Sequence, residues 1–416
     1  MKILHISTGF PLSFPGGITN YVRTLARSQV ALGNEVHILA GPEQSNVDFS
    51  GLRVHPYTGS TVKSFQLKNV EVDSSTNQIG ELITRESFDL VHFHMSLNLP
   101  LSFYRDFSTL RVPYFVSLHD YYYVCPRVLM VDYEGEVCRT VDVARCCNCV
   151  GVLDQIDFLS RGFKKLGVPL PRIPSPTAER RLSVMRDFLE KANLLLPVSE
   201  RTAEIYREVV PKGHFEVEHI GNSSALCTRL EKTPSDRIRA VFLGTLNRHK
   251  GAEVLERLLR AVNRSDLEFH FYGRAFEGFE RKLRSSGVIF HGEYHPDDLP
   301  SIMSQADVGL VLSIWEDNGP QVAMEFINYG VPVIGTRRGG IPDFISAENG
   351  LLFDPDSPEE LLAIAHWLNR ISLTELNVMS AGMKRLKTPD EHSRRIQELY
   401  LKALASPSEQ CATYET

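Results

Sequence analysis

The sequence predicts an α/β protein made of two doubly wound parallel-sheet domains, and three observations predict it. The chain has 416 residues, more than one hydrophobic core serves, so two domains of about 200 residues each are expected. Short apolar runs alternate with helix-length amphipathic segments through both halves, the pattern of βαβ units. The runs are also apolar on consecutive positions, as strands buried on both faces of a parallel sheet are.

In the first half these runs are Ile3–Ser7, Glu35–Ala40, Leu90–Phe93, Tyr114–Leu118 and Leu194–Val198. In the second half they are Arg239–Leu243, Glu268–Tyr272, Val288–Phe290, Val308–Ser313 and Val331–Gly335. Between the halves the chain turns polar and turn-rich, with Gly221, Asn222, Ser223, Ser224, Pro234 and Ser235, which reads as a linker. The expected organisation is a first domain over 1–221, a linker over 222–237, and a second domain over 238–388. The remaining stretch, 389–416, carries an amphipathic helix near Glu391–Leu404 that is expected to cross back to the first domain. Residues 121–176, rich in Cys, Pro and Gly and poor in periodicity, read as an insertion in the first domain. Ligands of doubly wound sheets bind at the carboxyl ends of the strands, so a cleft between two such ends is the expected site.

Composition narrows the function. A net charge of -6 gives no electrostatic footprint for nucleic acid. The opening MKILHISTGFP alternates and then meets Pro11, which suits a first strand and not a signal peptide. No apolar run approaches the roughly 18 residues that span a bilayer. Seven Cys without a secretion signal point to reduced thiols in a cytoplasmic setting.

Three loops carry chemistry. The first runs from Phe10 to Asn20 and contains Gly16 and Gly17. The glycines let the backbone turn tightly, so that N–H groups opening the next helix face a phosphate or an acceptor group. It is not the G-x-G-x-x-G fingerprint of dinucleotide enzymes. The second, Gly244 to Gly251, leaves the first strand of the second domain and holds Arg248 and Lys250 before a helix start, which sets positive charge against a departing diphosphate. The third runs Trp315-Glu316-Asp317-Asn318-Gly319-Pro320-Gln321-Val322-Ala323-Met324-Glu325-Phe326. Here a strand ends, a Gly-Pro turn opens a helix with Pro320 at its first position, and Asp317 and Glu325 both face a ligand over the helix start. A carboxylate so placed accepts two vicinal hydroxyls of a ribose or hexose. Glu325 stands among Val322, Met324, Phe326 and Ile327, company in which an acid seldom lacks a task.

At these residues the chain resembles the family-four retaining glycosyltransferases of GT-B architecture, over essentially its whole length. Five pieces occur in the family's order: Gly16-Gly17, Ser117-Leu118-His119-Asp120, Pro197-Val198-Ser199-Glu200, Lys250-Gly251, and Asp317 to Glu325, which looks like the family's E-x7-E motif. The resemblance implies two Rossmann-like domains facing a cleft and a UDP- or GDP-linked sugar donor. It implies Glu325 on the donor ribose and Asp317 on the donor sugar, with Asn318, Gly319, Pro320 and Gln321 lining the loop beneath. It further implies Lys250 on the diphosphate with help from Gly17, and His119 close to the donor sugar. Asp317 stands where the family has Glu, one methylene longer. Thr245 stands where the family commonly has Arg, and Arg248 is the candidate substitute.

Other residues are weighed beside these. His92 and His94 end the Leu90–Phe93 strand at the ligand-binding face, although a histidine there is more often a satisfied structural residue. Cys125, Cys138, Cys146 and Cys149, with Cys146-x-x-Cys149 at chelate spacing, suit a structural tetrahedral zinc; free thiols or one disulfide are the alternatives. From Arg161 to Lys191, eight basic residues against three acidic ones leave +5 in a chain of -6. With Phe163, Leu166 and Leu170 nearby, this fits contact with an anionic membrane or a lipid-linked pyrophosphate, against a plain solvated helix face.

The function expected is a retaining hexosyl transfer to a glycan or lipid-linked acceptor, in bacterial surface polysaccharide or glycoconjugate synthesis. It needs no metal for catalysis, because Asp354-Pro355-Asp356 follows the Gly350–Phe353 strand far from the diphosphate loop. The rivals are another nucleotide-sugar enzyme of the same architecture, such as an epimerase, and a non-catalytic subunit that binds nucleotide sugars.

Overall fold

Six strands of the first half form one parallel sheet: β1 (Lys2–Ile6), β2 (Glu35–Ala40), β3 (Leu52–Pro56), β4 (Leu90–Phe93), β5 (Tyr114–Leu118) and β6 (Leu194–Pro197), in the order β3-β2-β1-β4-β5-β6. The computed structural model describes residues 1–9, 16–41, 51–57, 77–97, 99–151, 173–227, 231–276 and 278–405. Its chain divides into two units, Met1–His219 with Pro389–Thr416, and Ile220–Thr388. The sheet is buried on both faces: β1 after Lys2 and all of β4 and β5 are buried on consecutive positions, His5, His92 and Ser117 included. Phe93, Phe107, Tyr114 and Phe188 meet on one side, Phe93 lying edge-on to Phe107 with ring centroids 4.8 Å apart.

β3 was not expected from the sequence. It is an edge strand whose residues after Leu52 are half-buried or exposed, so it lacks the continuous apolar run of its neighbours. It ends at Pro56, which an edge tolerates because no further ladder bond is needed there. The final helix, Pro389–Ala405, belongs to this first unit. It packs on helix Gly17–Ala31, where Ser28 Oγ donates to Asp390 at 2.7 Å and Asn34 Nδ2 to Gln397 at 3.0 Å.

The second unit repeats the architecture. β7 (Ile238–Leu243), β8 (Leu267–Tyr272), β9 (Ile289–Gly292), β10 (Val308–Val311), β11 (Val333–Thr336) and β12 (Gly350–Phe353) run parallel in the order β12-β11-β10-β7-β8-β9. In both sheets the strand order reverses between the first and fourth strands, β1 beside β4 and β7 beside β10. Loops leaving these pairs diverge to opposite faces and open a crevice at the carboxyl ends. Helix Gln321–Asn328 lies directly on β10, since a Cβ on Gly309 would stand 2.5 Å from the Phe326 ring. No helix among the described residues is long and apolar enough to cross a membrane.

Candidate functional site

The reversal point of the second unit brings together two loops separated by 67 positions in sequence. The loop after β7 tightens on itself: Lys250 N–H donates to Asn247 Oδ1 at 2.9 Å, and Gly251 N–H to the Arg248 carbonyl at 3.0 Å. Gly251 holds φ +88°, and a Cβ there would lie 2.0 Å from the Leu312 carbonyl oxygen, so only glycine lets this turn sit against the end of β10. Ile314 N–H donates to the His249 carbonyl at 2.8 Å and ties the two loops.

Lys250 is thereby aimed at Asp317. Its Nζ donates to Asp317 Oδ2 at 2.6 Å, and Ser313 Oγ donates to the same oxygen at 3.0 Å. The ammonium also stands 5.2 Å from the centre of the Trp315 ring, where the π-face favours a cation. Asp317 Oδ1 makes no hydrogen bond among the described residues, so one carboxylate oxygen is committed and the other is open. The backbone of Asp317 is fixed from behind: its carbonyl accepts from Gly340 N–H at 2.6 Å. Gly339 holds φ +53° and packs so closely that a Cβ would lie 2.2 Å from the Asp317 oxygen. The neighbouring acid does something else. Glu316 is buried and accepts from Gly339 N–H at 3.2 Å, so it supports the turn.

Pro320 precedes the helix as its cap, with φ −71° and ψ 83°, and the first helical residue is Gln321 rather than the proline the sequence suggested. Asn318 is buried, and Gln321 Oε1 accepts from Asn222 Nδ2 at 2.8 Å, which pins the turn. Glu325 follows on the second turn. It is half-buried and its carboxylate makes no hydrogen bond or ion pair among the described residues. Loss of hydration lifts its pKa from 4.5 to about 7. Tyr294 and Tyr329 are its ionisable neighbours; burial, and then the Glu325 charge, push the Tyr294 phenol up to about 12.

Arg248, the candidate basic substitute, has its Nε 3.9 Å from a Glu253 carboxylate oxygen, and Thr245 is exposed. Asp354 and Asp356 both accept from Arg338 Nη2, at 2.6 and 2.5 Å, so the two carboxylates are held by an arginine.

The reversal point of the first unit is lined by histidines. His5 Nε2 meets Gln29 Oε1 at 2.7 Å, His5 Nδ1 meets His94 Nε2 at 2.8 Å, and His94 Nδ1 meets His119 Nε2 at 3.4 Å. Burial keeps these rings neutral: His5 falls to about 4, His119 to about 3, and His92 and His94 lie well below the usual value. An amide oxygen only accepts, so His5 Nε2 carries the proton. His5 Nδ1 then accepts from His94 Nε2–H, and His94 Nδ1 accepts from His119 Nε2–H. His119 Nδ1 is left with its lone pair. Beyond Gln29, Tyr400 OH meets His92 Nδ1 at 2.5 Å, and His92 Nε2 meets Ser117 Oγ at 2.9 Å. His92 and His94 are thus satisfied inside a hydrogen-bond chain. Gly16 caps helix Gly17–Ala31 in an extended conformation, and both glycines are exposed; Phe10 to Pro15 lie outside the described residues.

Comparison with known proteins identifies the chain. Residues 237–369 match the model of the glycosyl transferases group 1, and residues 15–221 match that of glycosyltransferase family 4. The chain belongs to the group 1 glycosyltransferase family. This family member is 22% identical over 236 residues, 53% of its length and 57% of the relative's, to the putative colanic acid biosynthesis glycosyltransferase WcaL of Escherichia coli. It is 28% identical over 142 residues, 34% of its length and 38% of the relative's, to an uncharacterized 41.2 kDa protein in the cps region of Klebsiella pneumoniae. The chain therefore spans about half or less of each of these curated relatives. Its fold matches sucrose-phosphate synthase from Thermosynechococcus elongatus, with TM-score 0.63 and 18% identity, over 97% of this chain and 99% of that one. It also matches Anabaena HepE in complex with UDP, with TM-score 0.61 and 15% identity, over 97% and 100%.

Within this glycosyltransferase the geometry joins Lys250 to Asp317 and sets Glu325 on the adjoining helix. Ser313, Trp315 and Glu316, to which the sequence reading gave no role, also build the site, as does Gly339, which it did not name. The adjacent Gly339-Gly340 pair after β11 was the one available signal. The basic segment is described in part. Arg181, counted in the basic segment, is buried and donates to the Tyr122 and Tyr123 carbonyls with its guanidinium 4.7 Å over the Tyr122 ring. Lys191 is paired with Asp187 at 2.7 Å. Arg161, Lys164, Lys165 and Arg172, with Phe163, Leu166 and Leu170, lie outside the described residues.

Proposed function

We propose that this glycosyltransferase moves a hexose-type sugar from a UDP- or GDP-linked donor to a glycan or lipid-linked acceptor, with retention of configuration and without a catalytic metal. The observation that carries the reading is the Lys250–Asp317 pair at the reversal point of β7 and β10. Lys250 has one of its three N–H donors on Asp317 and the others free to meet diphosphate oxygens. Charge grows on those oxygens as the sugar–phosphate bond breaks, and a positioned ammonium stabilises it there. Asp317 Oδ1 is the open acceptor for a sugar hydroxyl. Glu325, unpaired and half-buried, accepts the two ribose hydroxyls of the nucleotide, which replace the water it lost.

In the transfer itself the bond from the sugar anomeric carbon to the phosphate oxygen breaks, and a bond to the acceptor oxygen forms on the same face. The acceptor proton passes to the departing phosphate, so no separate side-chain base is required. His119, neutral with a bare Nδ1, is assigned to hold a donor-sugar hydroxyl. The names of the relatives in colanic acid biosynthesis and the cps region support a place in surface polysaccharide synthesis.

The test is product analysis. The purified chain, UDP- and GDP-sugars and a panel of glycan and lipid-linked acceptors are incubated with and without EDTA, and the anomeric configuration is read by NMR. Transfer with retention, unaffected by EDTA, supports the reading. Isomerised donor without transfer, or nucleotide binding without turnover over the whole panel, overturns it.

A further inference from the structure

The segment from Tyr121 to Val150 holds five of the seven cysteines and takes no part in the site above. Four of them form one neighbourhood. Cys146 lies within electrostatic reach of Cys125, Cys138 and Cys149, and Cys138 within reach of Cys125 and Cys149. Cys146 and Cys149 share a face of helix Val143–Cys149, three residues apart. Cys138 follows a short antiparallel pairing of Val131 with Val137, and its N–H donates to the Met130 carbonyl at 2.7 Å. Cys125 lies in the turn before that pairing, buried against the core of the first unit.

Two features of the loop serve sulfur. The backbone N–H groups of Arg127 and Met130 hydrogen-bond the Cys125 sulfur, and that of Tyr133 the Cys149 sulfur. Burial pushes all four thiols up, Cys138 to about 11 and Cys146 to about 12, and these N–H bonds oppose it at Cys125 and Cys149. To aim them, Val128 and Met130 hold φ of +70° and +53°, a left-handed conformation that a β-branched valine rarely adopts. Strain of that kind persists where the surroundings over-determine it. The four thiols carry no disulfide.

We propose that Cys125, Cys138, Cys146 and Cys149 bind one structural zinc ion in a tetrahedral thiolate site that staples this segment to the first unit. Four soft sulfur ligands match zinc and leave no open position, so the ion orders the loop and takes no part in transfer. A second cluster, the histidine triad His5, His92 and His94, gathers its nitrogens within 4.8 Å. That triad is accounted for by its hydrogen bonds. Zinc binding would draw the four sulfurs together with release of their thiol protons.

The full chain, purified without chelator, is tested for zinc by elemental analysis, and a cobalt-loaded sample is scanned for thiolate-to-cobalt charge transfer and the intense visible bands of tetrahedral cobalt. About one zinc per chain, with those bands, is expected. Cys146→Ser with Cys149→Ser should abolish both. Should that variant fail to fold, thiol titration of the native chain before and after chelator keeps the test open: four thiols unmasked by chelator support the site. No zinc in a folded, reduced chain supplied with zinc, or thiols equally reactive with and without chelator, overturns it.

Discussion

Lys250 Nζ and Asp317 Oδ2 stand 2.6 Å apart, joined across 67 positions of sequence at the point where the second sheet reverses its strand order. The lysine side chain is 36% exposed and the aspartate 11%, so the pair adds little to stability, within about 1 kcal/mol. Its consequence is in turnover. Lys250→Ala should lower kcat by about 10²–10³-fold, the usual effect of deleting one charge-stabilising donor, with Tm nearly unchanged. Steady-state kinetics beside thermal unfolding checks both.

Gly339 sets where Asp317 stands. A methyl at this position meets the Asp317 backbone at 2.2 Å in a left-handed conformation, so Gly339→Ala should push Asp317 out of reach of Lys250. The expected outcome is a folded protein destabilised by about 1–3 kcal/mol that has lost most of its turnover. A crystal structure or kinetic measurement of the variant decides; wild-type kinetics would contradict the assigned role.

Glu325 ties nucleotide binding to pH. Its pKa is lifted from 4.5 to about 7 by burial, and only the carboxylate accepts two hydroxyls. Nucleotide diphosphate affinity should therefore fall as pH drops below 7, approaching tenfold per pH unit. The sign for stability is opposite: the unfolded carboxyl ionises more readily, so this group costs stability above pH 4.5, fully so above about 7. Glu325→Gln should thus raise stability at pH 8 by on the order of 1 kcal/mol and remove the pH dependence of binding. Calorimetry across pH 5.5–8.5 measures both slopes.

The histidine chain predicts acid sensitivity. His5 and His119 are lowered from 6.5 to about 4 and 3, and His92 and His94 well below 6.5. Stability from the neutral rings is fully present above pH 6.5 and is lost as pH falls toward 4, because the unfolded chain takes up protons that the folded chain refuses. The urea midpoint should drop steeply between pH 6.5 and 5, and His5→Asn should flatten that slope. Imidazole ¹⁵N shifts should show His119 protonated on Nε2, and Gln29→Leu should scramble that tautomer.

The strands were legible because parallel sheets are apolar on consecutive positions, as in Ala240 to Leu243 of β7. Leu52–Pro56 was not, since an edge strand exposes most of its side chains. Glu325 and Asp317 were visible as acids eight residues apart on a Gly-Pro turn. That Lys250 and Ser313 share one oxygen of Asp317 was not, because nothing local encodes a contact made by strand order. Charge counts along the chain likewise do not show that Arg181 of the basic segment is spent on two buried carbonyls.

The central claim is that Glu325 anchors a nucleotide diphosphate on the second unit. Calorimetric titration of UDP and GDP into the wild-type chain and Glu325→Ala tests it most directly. Binding of at least one nucleotide by the wild type, weakened tenfold or more in the variant (about 1.4 kcal/mol) at pH 8, is the predicted result. Equal affinity of the two proteins would contradict it.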